Sequence, residues 1–126
     1  IYHDKKYAKK SRAQFKHIAS GHEKPKYSFE DLKVLMWDHC GIEREEVSLA
    51  EGIKKLLNWL KDWKSWERTP ESRRLFDIGL VALATLIGAL QRKESRGCHY
   101  RKDFPYQRDQ FERDTIIDFF GLNLLE

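Results

Sequence analysis

The chain has 126 residues, of which 40% are hydrophobic and 35% charged, with a formal net charge of +4. That length supports a single core and cannot hold a dinucleotide-binding fold beside a helical one; no GxGxxG occurs, and the seven glycines are scattered singly. Two cysteines without a CxxC spacing exclude a disulfide-built scaffold and point to reduced thiols.

Residues 1–26 carry eight Lys/Arg against Asp4 and Glu23, whereas the rest of the chain carries sixteen basic and eighteen acidic groups. The charge therefore belongs to an N-terminal arm, and the body is nearly neutral. Lysines near Tyr7 and Phe15 suit phosphates, but a lone charge run seldom specifies a partner. The arm reads as a solvated linker or surface helix (Tyr7, Ala8, Ser11, Phe15, Ile18) ending near Gly21, and no nucleic-acid partner is expected. The chain opens on Ile1 and its only methionine is Met36, so a fragment or processed product is expected.

Three helices are predicted next. Ser28 with Asp31 forms a capping-box pair, Phe29, Leu32, Leu35, Met36 and Cys40 follow at helical spacing, and Gly41 closes the element. A second box, Ser48 with Glu51, opens a helix whose apolar stripe is Leu49, Ile53, Leu56, Leu57, Leu60 and Trp63, with lysines outside. Trp59, Trp63 and Trp66 share that helical stripe and read as core packing. Thr69 and Pro70 start the third helix. It is predicted to run to Arg96, about 40 Å at 1.5 Å per residue. Gly97 would take its C′ position, and Arg92, Lys93 and Arg96 its last turn. Gly79 and Gly88 cost helix propensity and read equally as room for another helix or as tolerated defects. Its apolar run Leu75–Leu90 includes Asp77 and, at sixteen residues, is short of a membrane span, so no membrane is expected.

Short connections favour antiparallel neighbours. The expected fold is all-α, an up-down-up three-helix bundle with a charged C-terminal loop and short terminal helices after it. The core is predicted to include Leu32, Met36, Ile53, Leu56, Leu60, Ile78, Ala82 and Leu86. The expected division is a basic arm or linker over 1–26, the helical domain over 27–105, and a tail over 106–126, where Phe111, Ile116, Ile117, Phe119 and Phe120 could pack as one helix.

Two cysteine–histidine neighbours, His39-Cys40 and Cys98-His99, invite a zinc reading, but adjacent helical residues point about 100° apart and rarely reach one tetrahedral ion. His99, flanked by Arg101 and Asp103, is the most tempting catalytic group because histidine titrates near neutrality. No nucleophile, metal cluster or carboxylate pair accompanies it, so no catalytic, cofactor-binding or metal-binding residue is assigned.

The run Arg92 to Pro105, RKESRGCHYRKDFP, resembles the ESRGxHxRxDxP signature in the C-terminal domain of the fumarate reductase, succinate dehydrogenase and L-aspartate oxidase flavoproteins. Leu35 to Arg44, LMWDHCGIER, is similar to the segment opening that domain in the L-aspartate oxidases. The resemblance spans Tyr27 to Pro105, with Cys98 in place of the usual Ala or Leu and Asp77 in place of Asn. It implies the C-terminal helical domain of an FAD-dependent oxidase that converts L-aspartate to iminoaspartate in quinolinate and NAD synthesis. FAD would belong to the full-length enzyme and to none of this fragment, which alone would be inactive. The partner would be the flavin-binding domain of the same polypeptide, met by an interface of Arg92, Glu94, Ser95, Arg96, His99, Tyr100, Arg101 and Asp103. In that role Arg96 and Arg101 would dock outward, leaving the loop after Gly97 exposed in the isolated fragment or borrowed by a neighbouring chain. A cytoplasmic location follows, and a homo-oligomer stays open. Two alternatives remain: the flavoprotein subunit of succinate dehydrogenase or fumarate reductase, which requires an iron–sulfur partner, or a free-standing helical module with a basic arm.

Overall fold

The computed structural model describes residues 21–118; the expectations for the arm up to Ser20 and for Phe119 and Phe120 lie outside them. Three helices form the body: α1 (Phe29–Cys40), α2 (Glu46–Leu60) and α3 (Pro70–Gln91). Pairings outside them are isolated bridges, such as Glu23 with Trp66, and no named strand occurs among the described residues.

Local chemistry sets two of the helix starts. Ser28 Oγ accepts from the Asp31 amide at 3.1 Å while Asp31 accepts from the Ser28 amide at 2.8 Å, the expected box. At α3, Thr69 Oγ1 accepts from the Ser72 amide at 3.1 Å and Pro70 occupies the first turn, where its missing N–H costs nothing. The second box does not form. Helix α2 begins at Glu46, and Ser48 instead donates to the Asp38 carbonyl and pairs with His39 Nδ1.

Each helix gives its apolar stripe to one core. Leu32, Leu35, Leu49, Leu56, Leu60, Phe76, Ala82, Leu83 and Leu86 are buried, while Met36, Ile53 and Ile78 pack at its edge. The C-terminal turn of α1 meets the start of α2, where His39 touches Ser48. Tyr27, just before α1, packs on Trp59 near the end of α2 and donates to the Leu75 carbonyl near the start of α3. Neighbouring helices therefore run antiparallel, which is the up-down-up order. Burial without a charged partner pushes the Tyr27 phenol up to about 12.

The tryptophans depart from the expected stripe. Helix α2 stops at Leu60, Trp63 lies in a 3₁₀ turn (Trp63–Ser65) and Trp66 in extended chain after it. They close one end of the bundle as an aromatic cluster: Tyr27 stacks on Trp59 at 5.1 Å, Trp63 on Phe76 at 4.5 Å, and Trp66 meets Tyr27 and Phe76 edge-on. Gly79 admits no helix; a Cβ there would collide with the Tyr27 hydroxyl, so the small residue makes room for that ring. Gly88 faces Thr115 and Ile117 of the returning tail. That tail contains only the 3₁₀ turn Asp109–Phe111 rather than a terminal helix among the described residues. At 22 residues α3 is long and apolar enough to cross a membrane, so length alone excludes nothing. Its inner stripe is the core of the bundle.

Candidate functional site

At the end opposite the aromatic cluster, the chain leaves α3 and folds back on itself. The helix ends at Gln91, five residues before the expected Arg96. Gly97 has φ +58°, the left-handed conformation predicted for it, but the cause is different. Arg96 and His99 exchange backbone hydrogen bonds of 2.8 and 3.0 Å, closing a tight turn over Gly97 and Cys98. Arg92, Lys93 and Arg96 are therefore loop residues and no part of a last helical turn.

The helix stops early because the charges after it find better partners off the axis. Glu94 is fully buried and accepts from Arg92 Nη1, Arg96 Nε (3.0 Å), Arg96 Nη2 (3.2 Å) and the Arg108 amide (2.9 Å). The Arg96 guanidinium, ahead of the Arg108 amide and Arg92, holds its carboxyl down to about 2. Arg92 also donates to the carbonyls of Phe111 and Arg113, which ties the tail to the end of α3.

Arg101 is the second buried charge, with none of its side chain exposed. Its Nη1 donates to the carbonyls of Ala89 and Leu90 at 2.9 and 3.0 Å, supplying partners at the C-terminus of α3. Its Nε and Nη2 grip Asp103 in a bidentate pair of 2.7 and 2.6 Å. Asp103 in turn accepts from the Glu46 amide at 3.0 Å, at the first turn of α2. The local cap position, Glu45, makes no side-chain cap. One ion pair thus places a cation on the negative end of α3 and an anion on the positive end of α2. The Arg101 guanidinium foremost holds the Asp103 carboxyl at about 2.

His99 links this clasp to the connection between α1 and α2. Its Nε2 lies 3.0 Å from the Arg92 carbonyl and its Nδ1 lies 3.0 Å from Arg44 Nη1. A carbonyl only accepts and a guanidinium only donates, so the ring is neutral with its proton on Nε2. Burial, ahead of the nearby arginines, pushes its pKa down. Neither ring nitrogen is left for proton transfer. The Arg44 amide donates to the Tyr100 carbonyl at 3.1 Å, and the Lys102 amide to the Arg44 carbonyl at 2.8 Å. The two sequence segments that carried the resemblance therefore meet in space, with Arg44 a member of the site that sequence reading passed over.

This geometry corrects the expected outward docking. Arg101 and Glu94 point inward and are saturated within the chain, and Ser95 is spent on the Phe104 carbonyl and the Arg101 amide. Arg92, Arg96 and His99 are half-buried, and the loop is an internal staple before it is anything else. Tyr100 is 41% exposed and faces outward. Cys40 is buried, Cys98 is exposed, and no cluster of three metal-ligating side chains occurs among the described residues. At each helix start one amide is already taken, that of Asp31 by Ser28, that of Glu46 by Asp103 and that of Ser72 by Thr69.

Comparison with known proteins covers the same ground. Residues 29–119 match the family described as fumarate reductase flavoprotein C-term, a match that runs past Pro105 through the returning tail. The L-aspartate oxidase of Pyrococcus horikoshii is 42% identical over 75% of this chain and 20% of its own length. That of Pyrococcus abyssi is 42% identical over 78% of this chain and 19% of its own. An uncharacterized FAD-dependent oxidoreductase of Methanocaldococcus jannaschii is 34% identical over 70% and 17%. The chain spans about a fifth of the length of the curated relatives it matches first. With the match extending over both signature segments and the tail that the clasp holds down, the chain belongs to the fumarate reductase flavoprotein C-terminal family.

Proposed function

We propose that this chain is the C-terminal helical domain of an FAD-dependent L-aspartate oxidase, which converts L-aspartate to iminoaspartate in the cytoplasm as the first step towards quinolinate and NAD. The observation that carries the reading is the joining of two distant signature segments by the Arg44–His99 contact and the Arg44 backbone bonds. A loop fixed so firmly at both ends suits a rigid surface offered to another domain, since orientation is lost when a supporting shell is loose. FAD and the groups that touch substrate belong to the rest of the polypeptide. This domain binds neither and preserves the geometry of its neighbour.

In this reading the interface residues divide their work. Glu94, Ser95, Arg101 and Asp103 shape the loop from inside, while Tyr100 and the outer edges of Arg92, Arg96 and His99 meet the flavin-bearing part. Relatives carrying the L-aspartate oxidase name support this assignment over a succinate dehydrogenase or fumarate reductase subunit, which the family description also allows. Expression of the full coding sequence tests it. A flavin-coloured protein that turns over L-aspartate upholds the oxidase. One that copurifies with an iron–sulfur subunit and reduces fumarate without oxidising L-aspartate supports the sister enzyme instead.

A further inference from the structure

The outer edge of α3 is apolar where a solvated helix face would be polar. Leu80, Val81 and Ala84 line one wall of a groove of about 530 Å³, and Thr115 and Ile117 of the tail line the other. Val81 is 67% exposed, and Ile116 beside Ile117 is 85% exposed. Arg44, Arg92 and His99 close one end of the groove. Their charges are not equally answered. Arg92 has Glu94, and the neighbouring Arg101 has Asp103. Arg44 has no carboxylate within ion-pair distance among the described residues. Its Nε goes to the Gly41 carbonyl and its Nη1 to neutral His99, which leaves Nη2 with no hydrogen-bond partner among the described residues. A half-buried guanidinium answered only by neutral groups is poorly compensated, and a carboxylate is the group that fits its fork.

We propose that this groove seats an apolar segment carrying an Asp or Glu from the flavin-bearing part of the same polypeptide, with that carboxylate paired to Arg44. The inference rests on the reading of this chain as one domain of a larger flavoprotein. Two facts select the occupant. The relatives extend far beyond the aligned fifth of their length, so a covalently joined neighbour is at hand. The groove combines an apolar wall with one unanswered positive charge, which suits a hydrophobic protein segment bearing one acid. Nucleic acid would instead need a row of cations.

Carbodiimide coupling in the full-length protein tests the pairing, because the reagent joins an amine to a carboxylate only at contact. With the amine introduced by Arg44→Lys, a cross-link is expected from position 44 to an acidic residue outside residues 1–126. It should vanish in the Arg44→Gln protein and in Val81→Glu added to Arg44→Lys. Cross-links confined to Glu43, Glu45 or other acids of this chain, cross-links only to a second copy, or none at all overturn the proposal. Carboxylate labelling decides the question should Arg44→Lys fail to fold. An acid outside residues 1–126 should be protected in the unaltered protein and become labelled in Val81→Glu, whose side chain is already solvent-facing; unchanged labelling overturns the pairing. Turnover of L-aspartate is scored separately. An active oxidase without the cross-link defeats the groove alone, and a cross-linked protein that ignores L-aspartate defeats the oxidase reading alone.

Discussion

The two ends of this bundle are held by opposite kinds of force. At one end Tyr27, Trp59, Trp63, Trp66 and Phe76 close the helices with stacked and edge-on rings, so the stabilisation is mostly area removed from water. At the other, two fully buried charges, Glu94 and Arg101, hold the helix ends through hydrogen bonds that leave little spare capacity. Area is lost gradually, a methylene at a time, and neighbours relax into the gap. A buried charge is either matched or costly. The charged end is therefore the more specific and the more fragile of the two.

Removing one partner at the charged end gives the sharpest test of that contrast. Arg101→Ala strands Asp103 and two α3 carbonyls, and should lower unfolding free energy by about 3–5 kcal/mol in urea titrations. A loss under about 1 kcal/mol, the range of exposed pairs, would show that Arg101 is solvated after all. Within the core between the ends, Leu56→Ala should cost about 2–5 kcal/mol, since Leu56 is wholly buried. The urea midpoint should shift with little change in slope, because an apolar truncation leaves the unfolded surface nearly unaltered.

Acid should separate the ends without any mutation. His99 is held neutral and its pKa lies below the ordinary 6.5, so the folded state binds its proton less readily than the unfolded chain. Its stabilisation is complete above that value and is lost as pH falls below it. The arginines facing it, Arg44, Arg92 and Arg101, resist its protonation. Glu94 and Asp103, depressed from 4.5 and 3.8 to about 2, contribute stability above their ordinary values that disappears as pH falls towards 2. Protection of the amides in residues 92–104, corrected for slower intrinsic exchange in acid, should fall below pH 6.5 before the fluorescence of a Trp37→Phe protein changes, because its remaining indoles, Trp59, Trp63 and Trp66, report the other end. In His99→Gln the amide can accept from Arg44 and donate to the Arg92 carbonyl, so the first of these acid steps should be absent. The smallest effect belongs to the local caps. Thr69→Ala should cost about 1 kcal/mol, and Ser28→Ala a similar amount, visible as modest shifts in melting temperature.

What could be read from sequence follows from how far each partner lies along the chain. Ser28 with Asp31 and Thr69 with Pro70 are neighbours, and both helix starts were legible. The periodic leucines Leu32, Leu56, Leu60 and Leu86 were legible for the same reason, because a 3.6-residue repeat is local information. The start of α2 was not, since its anion comes from Asp103, and Ser48, a good local candidate, was drawn to α1 instead. The end of α3 was misplaced because Arg92 and Arg96 looked like solvated helix-end cations, whereas Glu94 collects them both. The resemblance identified the family, yet only the folded chain reveals that its two segments touch and that Arg44 belongs with His99.

The bond between Asp103 and the Glu46 amide also bears on how the protein is made. It joins positions 57 residues apart, and its arginine partner lies 11 to 12 residues beyond the carbonyls it satisfies. During synthesis α2 can therefore coil, and α3 can dock on it, while one end of each still lacks its counter-charge. The aromatic end is complete once Phe76 has emerged; the other waits for Asp103. A nascent chain halted near Leu90 would be a bundle zipped from one side only, open at the end where the flavoprotein signature has yet to arrive.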